Sequence, residues 1–401
     1  MTKRRNIGDS LLAAGEKTQG RIRLFFLKSG MDMPFLIILL AILALGLVSL
    51  YSASYAYAYH YSGDSYQYIG RQLFFAGLGL VAMFAVSTID YHVLHKFAWP
   101  VLGVAALLLI VVLFVPSESG IRRWIPIPLV GQFQPSEVAK FAEILIFAHL
   151  ISINYKKMKG FKSGYVPFIV LMGLLAGLVF IEPHLSGAIL ILSIGLIMMY
   201  VGGTRLIYIV GTLALGAAAV LYMVFGMGYE QDRIAVWLDP VGTFESNVVF
   251  DNGLTGRDVA WQTIQSLYAI GSGGLMGQGL GNSRQKHLFL PEPQNDFIFA
   301  VVCEELGFVG AVVIILLFVL LIWRGITIAM KAPDKFGCML ALGLTVQVGV
   351  QVALNLAVVT NTILNTGISL PFFSYGGTSL VMLLAQMGIV LAISRQTKKD
   401  R

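Results

Sequence analysis

Long, uninterrupted apolar runs of about twenty residues recur along this chain, and they limit its fold more than any motif does. A bilayer core about 30 Å thick takes about 20 apolar residues per helical span. Inside it no water satisfies the backbone, so only helices and closed barrels cross. Barrel strands would alternate apolar and polar positions, and these runs do not. Ten helical spans are expected, at roughly 34–52, 73–89, 98–116, 135–153, 165–182, 185–202, 205–226, 297–323, 337–360 and 371–394. Of the 401 residues, 57% are hydrophobic and 12% charged. A water-soluble fold could not cover that much apolar surface, which excludes a cytosolic enzyme. So apolar a chain is not disordered either. The expected class is all-α: a polytopic membrane bundle of about ten transmembrane helices with a large extracellular loop. The unit spans 34–394, between a basic arm at 1–33 and a tail at 395–401. That arm is too long for an ordinary signal-peptide n-region, so no cleavable signal is expected.

Charge then orients the bundle. If both termini are cytoplasmic, the inner segments hold 20 of the 28 basic and 6 of the 21 acidic residues, a balance of +14 against −7 elsewhere. This matches the positive-inside rule, so the net charge of +7 reflects topology and not nucleic-acid binding. The two cysteines, Cys303 and Cys338, fit neither a disulfide framework nor a metal spacing. Outside, one loop of about 70 residues, 227–296, carries 12 charged residues, a quarter of the chain's total. Loops that long are functional or disordered, and Trp237, Trp261, Tyr268 and Leu288 argue against disorder. Chemistry is therefore expected on the outer face of a cytoplasmic membrane.

Five constellations carry polar chemistry. The first is Gly120-Ile121-Arg122-Arg123-Trp124-Ile125, followed by Gln134-Pro135-Ser136-Glu137 and Lys140. Paired guanidinium groups grip phosphate, and Trp124 could lie on a sugar or lipid; an interfacial anchor reads the same way. Pro135 suits a first helical turn. Ser136, Lys140 and Glu143 share one helix face, where pairing of Glu137, Lys140 and Glu143 at i, i+3 would offset the cost of charge in a span. The second, Glu182-Pro183-His184, is either an acid–base pair at the membrane edge or a proline-fixed hairpin. The third, Tyr229-Glu230-Gln231-Asp232-Arg233 with Leu238-Asp239-Pro240, is either a site or the solvated end of a span.

The fourth runs from Trp261-Gln262 and Gln265-Ser266 through six glycines between Gly271 and Gly281. It continues as Asn282-Ser283-Arg284-Gln285-Lys286, then Leu290-Pro291-Glu292-Pro293-Gln294-Asn295-Asp296-Phe297. Glycine lets backbone approach a ligand and turn amides toward anions; Arg284 and Lys286 add phosphate charge. Asp296 opens an apolar helix, as an N-cap or as a partly buried base of raised pKa. Glu304 follows on the same helix and needs a partner or a wet cleft. The last joins Asn355, Asn361, Asn365-Thr366-Gly367 and Leu370-Pro371-Phe372-Phe373-Ser374-Tyr375-Gly376-Gly377-Thr378, suited to close helix packing or to a broken helix lining a cavity.

Together these stretches resemble the SEDS family of FtsW, RodA and SpoVE, over about 34–394, and look closest to the FtsW and SpoVE branch. The most specific piece is Gly279-Leu280-Gly281-Asn282-Ser283-Arg284-Gln285-Lys286 with Leu290 to Ala300 and Glu304-Glu305-Leu306-Gly307. Gln294-Asn295 departs from a common His-Thr, and Asn365 from a common proline. The resemblance implies a peptidoglycan glycosyltransferase that polymerises lipid II in cell division or sporulation. Asp296 is the expected catalytic base, or the ligand of an assisting divalent cation, Mg2+ or Mn2+. Arg122, Arg123, Arg233, Arg284 and Lys286 are expected at the pyrophosphate; Trp124, Lys140, Gln265, Ser266, Glu292 and Ser374 are expected to line the substrate cavity. Implied partners are a class B penicillin-binding protein, whose transpeptidase crosslinks new strands, and other divisome membrane proteins. Two rivals stand beside this reading, a lipid II flippase and a non-catalytic scaffold.

Overall fold

The computed structural model describes residues 30–116, 122–127, 131–227, 231–246, 248–250 and 253–396. Most of the basic arm, Gly120, Ile121, Tyr229, Glu230, Asp251 and the end of the tail fall outside them, as do the side chains of 220, 221 and 223–227. The described chain is almost wholly helical: α1 Met33–Ser62, α2 Gln67–Ser87, α3 His92–Val112, α4 Pro135–Asn154, α5 Val166–Ile181, α6 Leu185–Val201, α7 Leu206–Met227, α8 Gln231–Leu238, α9 Pro240–Glu245, α10 Gly256–Gly273, α11 Ile298–Met330, α12 Lys335–Val359 and α13 Gly377–Gln396. Its one sheet is a small antiparallel hairpin, β1 Ile125–Ile127 with β2 Gly131–Phe133, in register Ile125 to Phe133.

Each expected span has its helix. Seven are long and apolar enough to cross a membrane: α1, α2, α3, Phe161–Ile181 (which contains α5), α11, α12 and α13. α6 and the described part of α7 are shorter apolar helices, and α4 is the one interrupted by Glu137, Lys140 and Glu143. Several boundaries move by six residues or more: α2 and α3 begin early, at Gln67 and His92, and α11 runs on to Met330. α1 runs ten residues past the expected end, to Ser62. α13 begins at Gly377, because Leu370–Gly376 forms a turn whose residue Phe372 has φ +66. The long loop is partly helical, carrying α8, α9 and α10 before an irregular stretch from 274 to 297.

Local chemistry sets the ends. Asp32 caps α1 by accepting from the amide of Phe35 at 3.0 Å, with Pro34 in the first turn. α10 opens with a capping box, Thr255 and Asp258 bonding each other's amides. α2 and α13 lie flank to flank, with Gly79 against Leu384 and Gly388 against the backbone of Met83. At the Lys/Arg-rich end of the bundle, Arg324 grips the Asp32 carboxylate with two nitrogens, at 2.9 and 2.8 Å.

This pair fixes a level. About twenty residues, one bilayer core, separate Asp32 from Ser52 along α1 and Arg324 from Glu304 along α11. At that far level the Ser52 hydroxyl meets both carboxylate oxygens of Glu305 at 2.7 Å. Here too α11 breaks. Gly307 has φ +66 and ψ −170, and the turn after α10 pairs with the break: the amides of Phe308 and Val309 donate to the carbonyls of Gly274 and Leu275, at 2.9 and 3.1 Å. Any side chain at Gly307 would overlap the backbone of Gly277.

Candidate active site

Asp296 sits just before α11, beyond the level of Glu304 and away from the Lys/Arg-rich end. Three side chains and one backbone bond hold its loop. Asn355, fully buried on α12, donates from Nδ2 to the carbonyl of Asp296 at 2.8 Å and to that of Ile368 at 2.6 Å. Ser374 donates its hydroxyl to the carbonyl of Asn295 at 2.8 Å and accepts from the amide of Leu370 at 2.7 Å. The amide of Tyr375 donates to the carbonyl of Gln294 at 2.9 Å. Glu292 accepts from Asn295 Nδ2 at 2.8 Å. The Asp296 loop is thus pinned to the turn that precedes α13, residues some eighty positions later. The Asp296 carboxylate itself lies against Gly367 (φ +66), where a Cβ would stand 3.0 Å from Oδ2.

The charges around Asp296 come from distant segments. Arg123, just before β1, acts on Asp296, with Arg233 of α8 and Glu292 in the same field. Arg233 donates to the carbonyl of Asn365 at 3.1 Å, and Trp237 Nε1 to that of Thr362 at 3.0 Å, so α8 is fastened beside Gly367. Arg123 Nε is buried with no hydrogen-bond partner. Loss of hydration pushes the Asp296 carboxyl up to about 6; Arg123 opposes that rise and Glu292 adds to it. A carboxyl so poised is ionised at neutral pH yet basic enough to take a proton.

Next to this lies the Glu182-Pro183-His184 link. His184 is nearly buried, its Nδ1 3.5 Å from Gln134 Nε2. Burial, then Arg123 and Lys140, pull the imidazole down to about 3, so it is neutral. Glu182 is buried with neither carboxylate oxygen bonded, and burial raises it to about 8. Lys140 is buried in α4 on Glu137, 2.8 Å away, the i, i+3 pair expected from spacing. It also donates to Gln351 Oε1 at 3.5 Å, and Gln351 donates to the Ser369 carbonyl at 3.0 Å. Glu143 does not join that pair. It is buried with both oxygens unbonded, against Gly195 of α6, where a Cβ would stand 2.6 Å from Oε1.

Other candidates fall elsewhere. Lys286, expected at a phosphate, is corrected by its burial. Its ammonium donates to Glu305 at 2.6 Å and Ser52 at 3.1 Å, and lies 4.8 Å from the centre of the Tyr55 ring. Ser266 is likewise buried, its hydroxyl spent on the Val359 carbonyl at 2.9 Å, which clamps α10 to the end of α12. Gln265 beside it is buried. Arg122 turns away and donates to the carbonyl of Leu113 at 2.9 Å. Trp124 is half-exposed near β1. Arg284 is exposed, with its amide engaged on Glu304 at 2.9 Å, twelve residues along the chain from Asp296. Among the described residues, no three His, Cys, Asp or Glu side chains converge to hold a metal ion. Asn355 and Gly367 acquire roles that their sequence setting did not assign. The clustered asparagines and a lone glycine were the only signal.

Comparison with known proteins matches a family model described as Cell cycle protein, for FtsW, RodA and SpoVE, over residues 33–399. Stage V sporulation protein E of Bacillus subtilis is 38% identical, covering 92% of this chain and 99% of its own. A probable peptidoglycan glycosyltransferase FtsW of Geobacter sp. is 37% identical, covering 92% and 98%. Among solved structures, a chain of a peptidoglycan synthase complex superposes with a TM-score of 0.73 at 28% identity, covering 92% and 99%. The rod shape determining protein RodA of Thermus thermophilus superposes with a TM-score of 0.64 at 27% identity, over the same shares.

Proposed function

The chain belongs to the Cell cycle protein family of FtsW, RodA and SpoVE, and from that premise we propose that it is a peptidoglycan glycosyltransferase. It polymerises lipid II at the outer face of the cytoplasmic membrane. The observation that carries the reading is the Asp296 carboxyl, raised to about 6 and set beside Arg123 and Arg233. The 4-hydroxyl of one chain's GlcNAc attacks the anomeric carbon of another's MurNAc. The bond from that carbon to pyrophosphate breaks, undecaprenyl pyrophosphate leaves, and the anomeric centre inverts. Inversion calls for a base on one side and an accommodated leaving group on the other. Asp296 takes the hydroxyl proton, and the guanidinium groups of Arg123 and Arg233 meet the departing charge. Arg123 has a buried Nε free to do so.

Lys140, Ser374, Glu292 and Gln265 shape the cavity rather than touch the reacting atoms. A class B penicillin-binding protein is the proposed partner, alongside other division proteins, because a related chain was solved within a peptidoglycan synthase complex. Both termini are assigned to the cytoplasm by the distribution of lysine and arginine. A divalent cation would accompany the substrate's pyrophosphate and offset its charge.

The test is polymerisation of labelled lipid II by purified protein, with and without a co-purified transpeptidase, with Mg2+, Mn2+ or a chelator, beside Asp296→Asn. Long strands from the native protein and none from folded Asp296→Asn are the expected result. A variant as active as the native chain would overturn Asp296 as base. A flippase has one observation in its favour: Glu143 and Gln347 are buried inside the bundle without partners. Lipid II that crosses proteoliposomes without polymerising would move the reading there. Folded protein that does neither would leave the scaffold.

A further inference from the structure

The motif Asn282-Ser283-Arg284-Gln285-Lys286 divides its side chains between two sides of one loop. Lys286 turns inward, while Arg284 turns outward into a cleft of about 420 Å³ between α10 and α11. Tyr268 and Ser272 line it from α10, Gln278 from the following turn, and Gln285 and Glu304 from the loop and α11. We propose that this cleft binds the phosphate of a membrane lipid.

Four observations carry the inference. The guanidinium of Arg284 has no protein partner among the described residues, and the Gln285 carbonyl oxygen is buried without one. Both therefore lack what a ligand would supply. The only carboxylate in the cleft is already engaged: Glu304 accepts from the Ser283 hydroxyl and from the amides of Arg284 and Gln285, which spreads its charge. The turn that supplies Gln278 also exposes apolar surface, with Leu275 70% and Met276 80% exposed, and its Gly274 and Leu275 carbonyls bond the amides of exposed Phe308 and Val309. Finally, the cleft lies at the level of Ser52 and Glu305, about twenty residues along α1 and α11 from the Asp32–Arg324 pair. That is head-group height. An arginine there, with exposed apolar surface on the neighbouring turn, matches a lipid with its tail on that surface and its phosphate on Arg284.

The cleft is separate from Asp296. Glu304 lies eight residues further along the chain, about 12 Å as helix. The inference rests on the placement of the helices across a bilayer and not on the proposed transferase activity. Its ligand is a phosphate-bearing lipid, either an ordinary anionic phospholipid or a prenyl pyrophosphate.

The experiment is native mass spectrometry of the full chain in detergent, with no lipid II present, so turnover plays no part. The probes are phosphatidylglycerol, farnesyl pyrophosphate and neutral diacylglycerol, one at a time. Native protein is expected to retain one or both phosphate-bearing probes and to release diacylglycerol. Arg284→Gln is expected to lower the retained fraction about tenfold, the loss of one charge-assisted partner. Ser272→Leu fills the cleft without removing charge and should lose as much, while Lys157→Gln, exposed at the opposite end, should lose nothing. An unchanged melting profile shows that the variants fold; if Arg284→Gln does not fold, Ser272→Leu decides. Preference between the two phosphate probes identifies the source. Retention of both by Arg284→Gln or Ser272→Leu as strongly as by the native chain overturns the proposal. So does diacylglycerol held as tightly as phosphatidylglycerol.

Discussion

Asp296 and Lys286 are both charged residues of one loop, yet burial gives them opposite uses. Lys286 is enclosed by Glu305, Ser52 and Tyr55, so it stabilises only as half of a pair. Removing one member of a buried pair leaves an uncompensated charge and costs about 3–5 kcal/mol. Lys286→Met is expected to lower the thermal midpoint sharply, and the double variant with Glu305→Gln to recover most of it, read by fluorescence-detected unfolding. Asp296 instead pays for its position. Its folded pKa of about 6 lies above the ordinary 3.8, so the folded state holds the proton more tightly. The stabilising contribution is full below about pH 4 and is lost as pH rises through about 6. Asp296→Asn should therefore be more thermostable than the native chain at pH 7.5, by up to about 3 kcal/mol, and no more stable at pH 4. The proposed base role has the complementary sign: polymerisation should rise as pH increases through about 6, when the carboxyl loses its proton.

At the scale of elements, the break in α11 matters most. Gly307 is locked against the turn after α10 by backbone bonds from Phe308 and Val309. A side chain there meets both a left-handed backbone and the Gly277 backbone. Gly307→Ala is expected to cost several kcal/mol, on the order of the strain plus a clash, with loss of both folded yield and polymerisation. Gly177→Ala in α5, where an added Cβ meets nothing within 4 Å, should be far milder. The helices themselves were readable from apolar run length, and α4 from Pro135 and its charged stripe. The α8–α10 arrangement was not, because short amphipathic helices in a charged loop have no run length to announce them. The turn before α13 was absorbed into a span for the opposite reason: Leu370-Pro371-Phe372-Phe373 is as apolar as the helix it precedes.

Across the whole molecule, charge sets direction. In a Cys303→Ala, Cys338→Ala background, Leu238→Cys on exposed α8 should react with a membrane-impermeant maleimide in intact cells. Lys159→Cys should react only after permeabilisation. The reverse pattern would invert the assigned orientation and move Asp296 to the cytoplasmic side. The same whole-molecule geometry sets the Asp296 loop beyond one bilayer length from the Asp32–Arg324 pair and the Arg284 cleft at that length, so two polar features of one loop face different depths.

The amino-acid sequence determined the class and the spans, because bilayer crossing depends on local run length, which is one-dimensional. Flanking charge gave the expected direction, and motif resemblance singled out Asp296. The tertiary structure alone decided which charges meet. Arg123, Asn355, Gly367 and Ser374 reach the Asp296 loop from separate segments, and Arg233 is fastened nearby on Asn365. Lys286 and Arg284, two residues apart, part company because the backbone between them is held on Glu304 and turns one side chain inward and the other out. Such contacts depend on how helices pack in three dimensions, which spacing along the chain does not specify.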